Sequence, residues 1–207
     1  MKSAMTHGTP TATLHAAGLV AAMLLPGPAA AHLVDTGLGP VYDGISHVLL
    51  SADDLLPVLG LALLAGLNGQ LTGRRALFAI ALAWLCGGLL GYLSGPAAVP
   101  GLATTFSLLI IGTLVALDRR LTPMTVVALA AALGLVHGWF NGAGIAAAER
   151  SVLALAGITG TIFVLVALLA AFVVQLKAPW TRIAVRAGGS WIAAVGVLML
   201  GWGLRPA

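Results

Sequence analysis

Charge is scarce in this chain. Only 8% of its 207 residues are charged, with six acids against ten bases, where soluble proteins carry about 25%. That shortage, with a mean hydropathy of +1.06, excludes a soluble globular fold. Cysteine is nearly missing too. The single Cys86 permits no internal disulfide, and its place inside an apolar run suits a small packing residue. No H-E-x-x-H, no G-x-S-x-G and no Gly-rich phosphate loop occurs, so nothing marks an enzyme or an ATP-driven machine. The short alternating segments of a membrane barrel are absent as well. The net charge of +4 would invite nucleic acid in a soluble protein. Here the bases sit in short loops between apolar runs, so the expected partner is the lipid bilayer and no nucleic acid.

What the chain has in abundance is apolar runs near the ~20 residues that span a bilayer as a helix. The first stretch, 1–31, reads as a signal peptide. Lys2 opens it, Ala16 to Leu25 forms a short apolar core, Pro26-Gly27-Pro28 breaks it, and Ala29-Ala30-Ala31 fits a small-residue cleavage site. Residues 32–207 then form one membrane domain. A short extracytoplasmic segment leads into six expected helices at about 51–68, 75–94, 102–117, 123–141, 151–175 and 183–204. Turn signals separate them, including Asn68-Gly69, Gly95-Pro96, Thr122-Pro123 and Pro179. With the mature N-terminus outside, the inner loops hold Arg74, Arg75, Arg119, Arg120, Lys177, Arg182 and Arg186, and the outer segments hold Arg150 and Arg205. That asymmetry orients the chain with both mature termini periplasmic. The expected architecture is an all-α integral membrane protein, a compact bundle of six transmembrane helices.

The acids are concentrated. Asp35, Asp43, Asp53 and Asp54 all precede or begin the first span, and His47 lies among them. Asp43 and His47 are one helical turn apart, and Asp54 would share their face if the helix ran on. The plainer alternative has Ser51 capping a new helix, with Asp53 and Asp54 complementing its dipole. Pro57 lacks an N–H, so the carbonyl of residue 53 loses its helical partner beside these carboxylates. His137 is the second intramembrane histidine. It lies 14 residues beyond Pro123, or about 21 Å along a helix, at the depth where the Asp pair begins its span. Asn141 follows one turn later and offers an amide oxygen. His32 would become the mature N-terminus after cleavage, where amine and imidazole together can chelate a metal. Oxygen and imidazole ligands in this combination suit divalent cations. For Glu149 and Arg150 a solvated pair at a helix start is the simpler reading, and an aromatic belt accounts for most of the five tryptophans.

Two stretches carry a family resemblance. His47, then five residues to Asp53-Asp54, resembles the H-x5-D-H motif of HupE/UreJ membrane proteins. His137-Gly138-Trp139-Phe140-Asn141-Gly142 resembles that family's H-G-x-x-H-G. The chain departs from both patterns, with Asp54 and Asn141 standing where histidines are expected. The resemblance implies a six-span fold and handling of nickel or cobalt for hydrogenase or urease. The implied metal residues are His47, Asp53 and His137. The two departures replace nitrogen by oxygen donors, which leaves the choice of ion open. The expectation is a secondary permease for a divalent transition-metal ion, with Asp43 and His47 at its entry and with Asp53, Asp54, His137 and Asn141 around the ion. The metal is substrate or ligand, not a tightly bound cofactor, and no catalytic residue is expected. The alternative is a non-transporting metal-binding accessory, a sensor or a metalloenzyme assembly factor. A homo-oligomer or a maturation partner is compatible with either.

Overall fold

A computed structural model describes residues 35–96 and 101–205. The expected signal peptide 1–31 and His32 lie outside these residues. Among the described residues there are seven helices and no strand: α1 Pro40–Leu50, α2 Ala52–Leu67, α3 Gln70–Ser94, α4 Gly101–Ala116, α5 Pro123–Ala147, α6 Ala154–Gln175 and α7 Pro179–Gly203. Helices are the expected answer to this composition, because a helix satisfies its own backbone where lipid cannot. Local chemistry sets the ends. Thr122 caps α5 by accepting the Thr125 N–H at 3.2 Å, with Pro123 in the first helical position. Two helices end in residues forced into the left-handed region, Asp118 (φ 52°) after α4 and Glu149 (φ 53°) after α5. In both, the next two N–H groups turn back onto the last helical turn: Asp118 and Arg119 bond Val115 and Leu114, and Glu149 and Arg150 bond Ala146 and Ile145.

Four helices (α3, α5, α6 and α7) are long and apolar enough to cross a membrane, and a fifth span results if α1 and α2 count as one broken element. Those two helices meet at 74°. The first expected span began at about residue 51, after a short extracytoplasmic segment; the structure adds a helix before it that stops at Ser51, whose backbone is extended (φ −86°, ψ 100°). At 16 residues, α4 is short for a span. The apolar helices and their lipid-like exterior are those of a multi-pass membrane protein. Large apolar side chains such as Leu82, Phe172 and Trp191 face outward, while Asp43, His47, Asp54, His137 and four threonines are buried.

Packing relies on small residues rather than bulk. A Cβ on Gly138 would strike the Trp84 carbonyl, one on Gly142 the Gly88 carbonyl, and one on Gly91 the Trp139 carbonyl. These glycines let α3 and α5 lie backbone to backbone. Gly44 of α1 and Gly157 of α6 make the same close approach, against the Ala154 and Val41 carbonyls. The two seams hold α1, α3, α5 and α6 around the start of α2.

Candidate metal-handling site

The break at Ser51 makes the site. Had α1 continued straight, His47 and Asp54 would stand two turns apart on one face. The helix turns instead, and His47 Nε2 comes to 3.3 Å from Asp54 Oδ2 across the corner. From α5, His137 Nδ1 reaches Asp54 Oδ1 at 2.9 Å and the Asn141 amide nitrogen donates to Asp54 Oδ2 at 2.9 Å. One carboxylate on α2 therefore joins two imidazoles and an amide from two other helices. It is 5% exposed, with His47 at 7% and His137 at 2%. An acid that deep in a membrane protein is costly unless every oxygen is matched, and here both are.

Asn141 is itself held. Its amide oxygen accepts the Trp84 indole N–H at 3.2 Å. Indole only donates and carboxylate only accepts, so the amide has one workable orientation. A role for that oxygen as a metal ligand requires the Trp84 bond to open. The Trp84 ring also lies against His137, with centroids 5.6 Å apart. On its other nitrogen, His137 Nε2 is 3.1 Å from Ser107 Oγ of α4.

The sequence-derived residues thus separate into two groups. His47, Asp54, His137 and Asn141 come together. Asp53 points outward, exposed, one position away from the network. Asp43 is buried but faces elsewhere: its carboxylate accepts the Thr36 N–H at 2.8 Å and the Thr36 hydroxyl at 2.7 Å, and lies 3.9 Å from Arg150 Nη1. Arg150 in turn bonds Asp35 at 3.1 Å, so it pairs with the N-terminal segment as well as standing beside Glu149. Ser51 sits at the α2 cap position without a side-chain cap bond, and Asp54 is spent on the histidines rather than on the helix dipole.

Trp84 and Ser107 were not singled out by the sequence. A tryptophan at mid-span was the available signal for the first, since a buried indole N–H needs an acceptor and an aromatic belt lies at span ends. Ser107 carried no such signal, being one hydroxyl among several in its run.

A profile of the HupE / UreJ protein family matches residues 9–199. The chain belongs to that family. No curated protein and no solved structure gives a significant match. On the HupE/UreJ-like motifs the geometry is instructive. The two positions that depart from the family pattern, Asp54 and Asn141, are bonded to each other at the centre, while the matching aspartate, Asp53, is outside. As the side chains stand, no group of three or more His, Cys, Asp or Glu among the described residues is disposed to hold a metal ion. The carboxylate lies between the imidazoles instead of beside them around a common point.

Proposed function

We propose that this HupE/UreJ protein is a secondary permease that moves a divalent transition-metal ion, nickel or cobalt by family association, across the bacterial inner membrane. The observation that carries the reading is the buried Asp54 carboxylate joined to His47, His137 and Asn141. A membrane protein keeps such a cluster for function, since four polar side chains on a lipid-spanning scaffold are expensive for packing alone. An entering cation would part the longest of these contacts, His47 to Asp54 at 3.3 Å. Asp53, exposed at the lip, would meet the ion first. Asp43, tied to Thr36 and Arg150, serves the N-terminal segment in this reading and not the ion. The topology proposed is six spans, with α1 and α2 as one broken span and α4 as a short one. The basic residues of the α2–α3, α4–α5 and α6–α7 connections and the helix turns beside them face the cytoplasm, and a cleaved signal peptide leaves the N-terminus periplasmic.

A second reading is favoured by one observation. The end of the bundle away from Asp54 offers little to an ion. Its one acid, Asp118, is held by two bonds from Arg182, Nη2 to Oδ1 at 2.8 Å among them. A non-transporting accessory, sensor or assembly factor for a metalloenzyme needs no path there. Uptake of radiolabelled nickel and cobalt into proteoliposomes separates the readings. Uptake that is lost in His47→Ala and His137→Ala supports the permease. Binding without uptake supports the accessory, and no binding of any divalent ion overturns both. Asp54→His, which restores the family residue, is expected to shift preference toward nickel. An unchanged ion profile would count against Asp54 as the position that sets it.

A further inference from the structure

Ser107 extends the site onto a helix that the family motifs do not touch. Its hydroxyl is 2.9 Å from the Ala103 carbonyl, to which it donates, and 3.1 Å from His137 Nε2. A hydroxyl has one hydrogen. Spending it on Ala103 leaves oxygen lone pairs facing the imidazole. On the ring's other side, Nδ1 faces a carboxylate oxygen at 2.9 Å, which can only accept. In a neutral imidazole the single N–H therefore sits on Nδ1, and Nε2 also presents a lone pair. In that neutral form two lone pairs face each other, and either a second ring proton or a metal ion would satisfy both. The spacing is right for a metal ion. An oxygen and a nitrogen each about 2.1 Å from a transition-metal ion, at near right angles, stand about 3 Å apart. The Asp54 contact has the matching form, since a carboxylate on one ring nitrogen orients a histidine that binds metal through the other.

We infer that Ser107 Oγ and His137 Nε2 are a ligand pair for the ion, with Asp54 as the positioning residue that fixes the His137 ring. The pairing rests on the metal reading above and refines it, because it names the nitrogen used and adds an oxygen donor from α4. The same hydroxyl turned onto Nε2 would give the Ser–His–Asp order of a hydrolase. Ser107 lies in the interior of α4, however, where neighbouring N–H groups are committed to the helix and none is free to stabilise an oxyanion.

The test uses the full chain in lipid nanodiscs, with Cys86→Ala as the parent so that the only thiol is removed, and Co2+ as the probe. Ser107→Cys in that parent is expected to give a new thiolate-to-cobalt charge-transfer band that the parent lacks. Ser107→Ala should lower Co2+ affinity about tenfold, and Ser107→Thr, which keeps a hydroxyl, should retain most of it. A parent that binds Co2+, a Ser107→Cys variant without the band and an unchanged affinity in Ser107→Ala together overturn the pairing while leaving the metal reading intact. A parent that binds no Co2+ overturns the metal reading and the pairing with it. Labelling of Ser107 by a fluorophosphonate would overturn the ligand role in favour of a nucleophile.

Discussion

Asp54 and Asp118 lie at opposite ends of the bundle and meet the cost of charge in membrane surroundings differently. Asp118 has a permanent cation: Arg182 grips both its oxygens, and the pair remains partly open, with the side chains 21% and 40% exposed. Asp54 has none. Its partners are two buried imidazoles and a half-buried amide, and each of these groups can also face a metal or another donor. A guanidinium cannot give up its charge at any ordinary pH, whereas an imidazole can be neutral, a donor, or a ligand. The first arrangement fixes a structure. The second can exchange partners, as a site that takes up and releases an ion requires.

The sharpest way to break this contrast is Asp54→Ala. It leaves His47, His137 and Asn141 facing one another without their shared acceptor. Removing one partner from a buried polar cluster costs about 3–5 kcal/mol, so a large fall in the thermal midpoint in detergent is expected together with loss of Co2+ and Ni2+ binding. A variant of near-normal stability that still binds either ion would show that the cluster is not centred on this carboxylate.

The next effect comes through packing. Gly142→Ala drives a methyl into the Gly88 carbonyl and must push α3 from α5. Overpacking of this kind costs about 1–3 kcal/mol, and it should also weaken metal binding, because the Trp84–Asn141 bond spans that seam. Gly144 of the same helix has open space around it, so Gly144→Ala should stay within about 0.5 kcal/mol of the parent. Equal losses in the two variants would detach the site from the seam. Trp84→Phe tests the link directly. It leaves the half-buried Asn141 oxygen without its indole donor at a cost of about 1 kcal/mol, while the ring contact with His137 survives. Binding should weaken less than in Asp54→Ala, and a binding constant equal to that of the parent would show that holding Asn141 does not matter to the ion.

The sequence carried the all-helical, multi-pass membrane class and most of the helix boundaries, because a span is a composition signal and Pro, Gly and Asn mark its ends. It placed His47, Asp54, His137 and Asn141 in one candidate set. Its route to His47 and Asp54 was different, through a continuous face, and the structure joins them by a corner at Ser51. The local signal for that corner was the alternative reading of Ser51 as the start of a new helix, with Asp53 and Asp54 in its first turn; Leu50 and Ala52 are both good helix formers and argue for continuity, and the close approach of Gly44 and Gly157 packs α1 against α6. Asp53 and Asp43 could not be sorted from Asp54 by type or spacing, because the direction a carboxylate takes depends on which helix is packed against it. Ser107 was invisible for the same reason: α4 enters the site only in three dimensions.

Glu149 allows a gentler probe of the Asp54 end. It occupies a left-handed position for which it has no side-chain need, and Glu149→Gly removes the steric cost of a Cβ there. A gain of about 0.5–1 kcal/mol in stability is expected, with metal binding unchanged because its neighbours Arg150 and Asp43 keep their bonds. A change in ion affinity would mean that the α5–α6 turn, and with it the Asp35–Arg150–Asp43 tie, is coupled to the site.

The smallest effect returns to Asp118. Asp118→Asn removes the charge while keeping a residue type that tolerates the left-handed backbone, so it isolates the ion pair from the turn. Because both partners are partly exposed, their attraction is weakened by solvent, and a loss of about 0.5 kcal/mol is expected, shrinking further as salt is raised. Metal binding at the far site should not move. Transport is the discriminating readout. If the ion leaves the protein past Asp118, the neutral variant alters uptake rate even though stability and binding hold. If uptake is also unchanged, any exit route runs without this acid, and the Asp118–Arg182 pair is a fixed tie between α4 and α7.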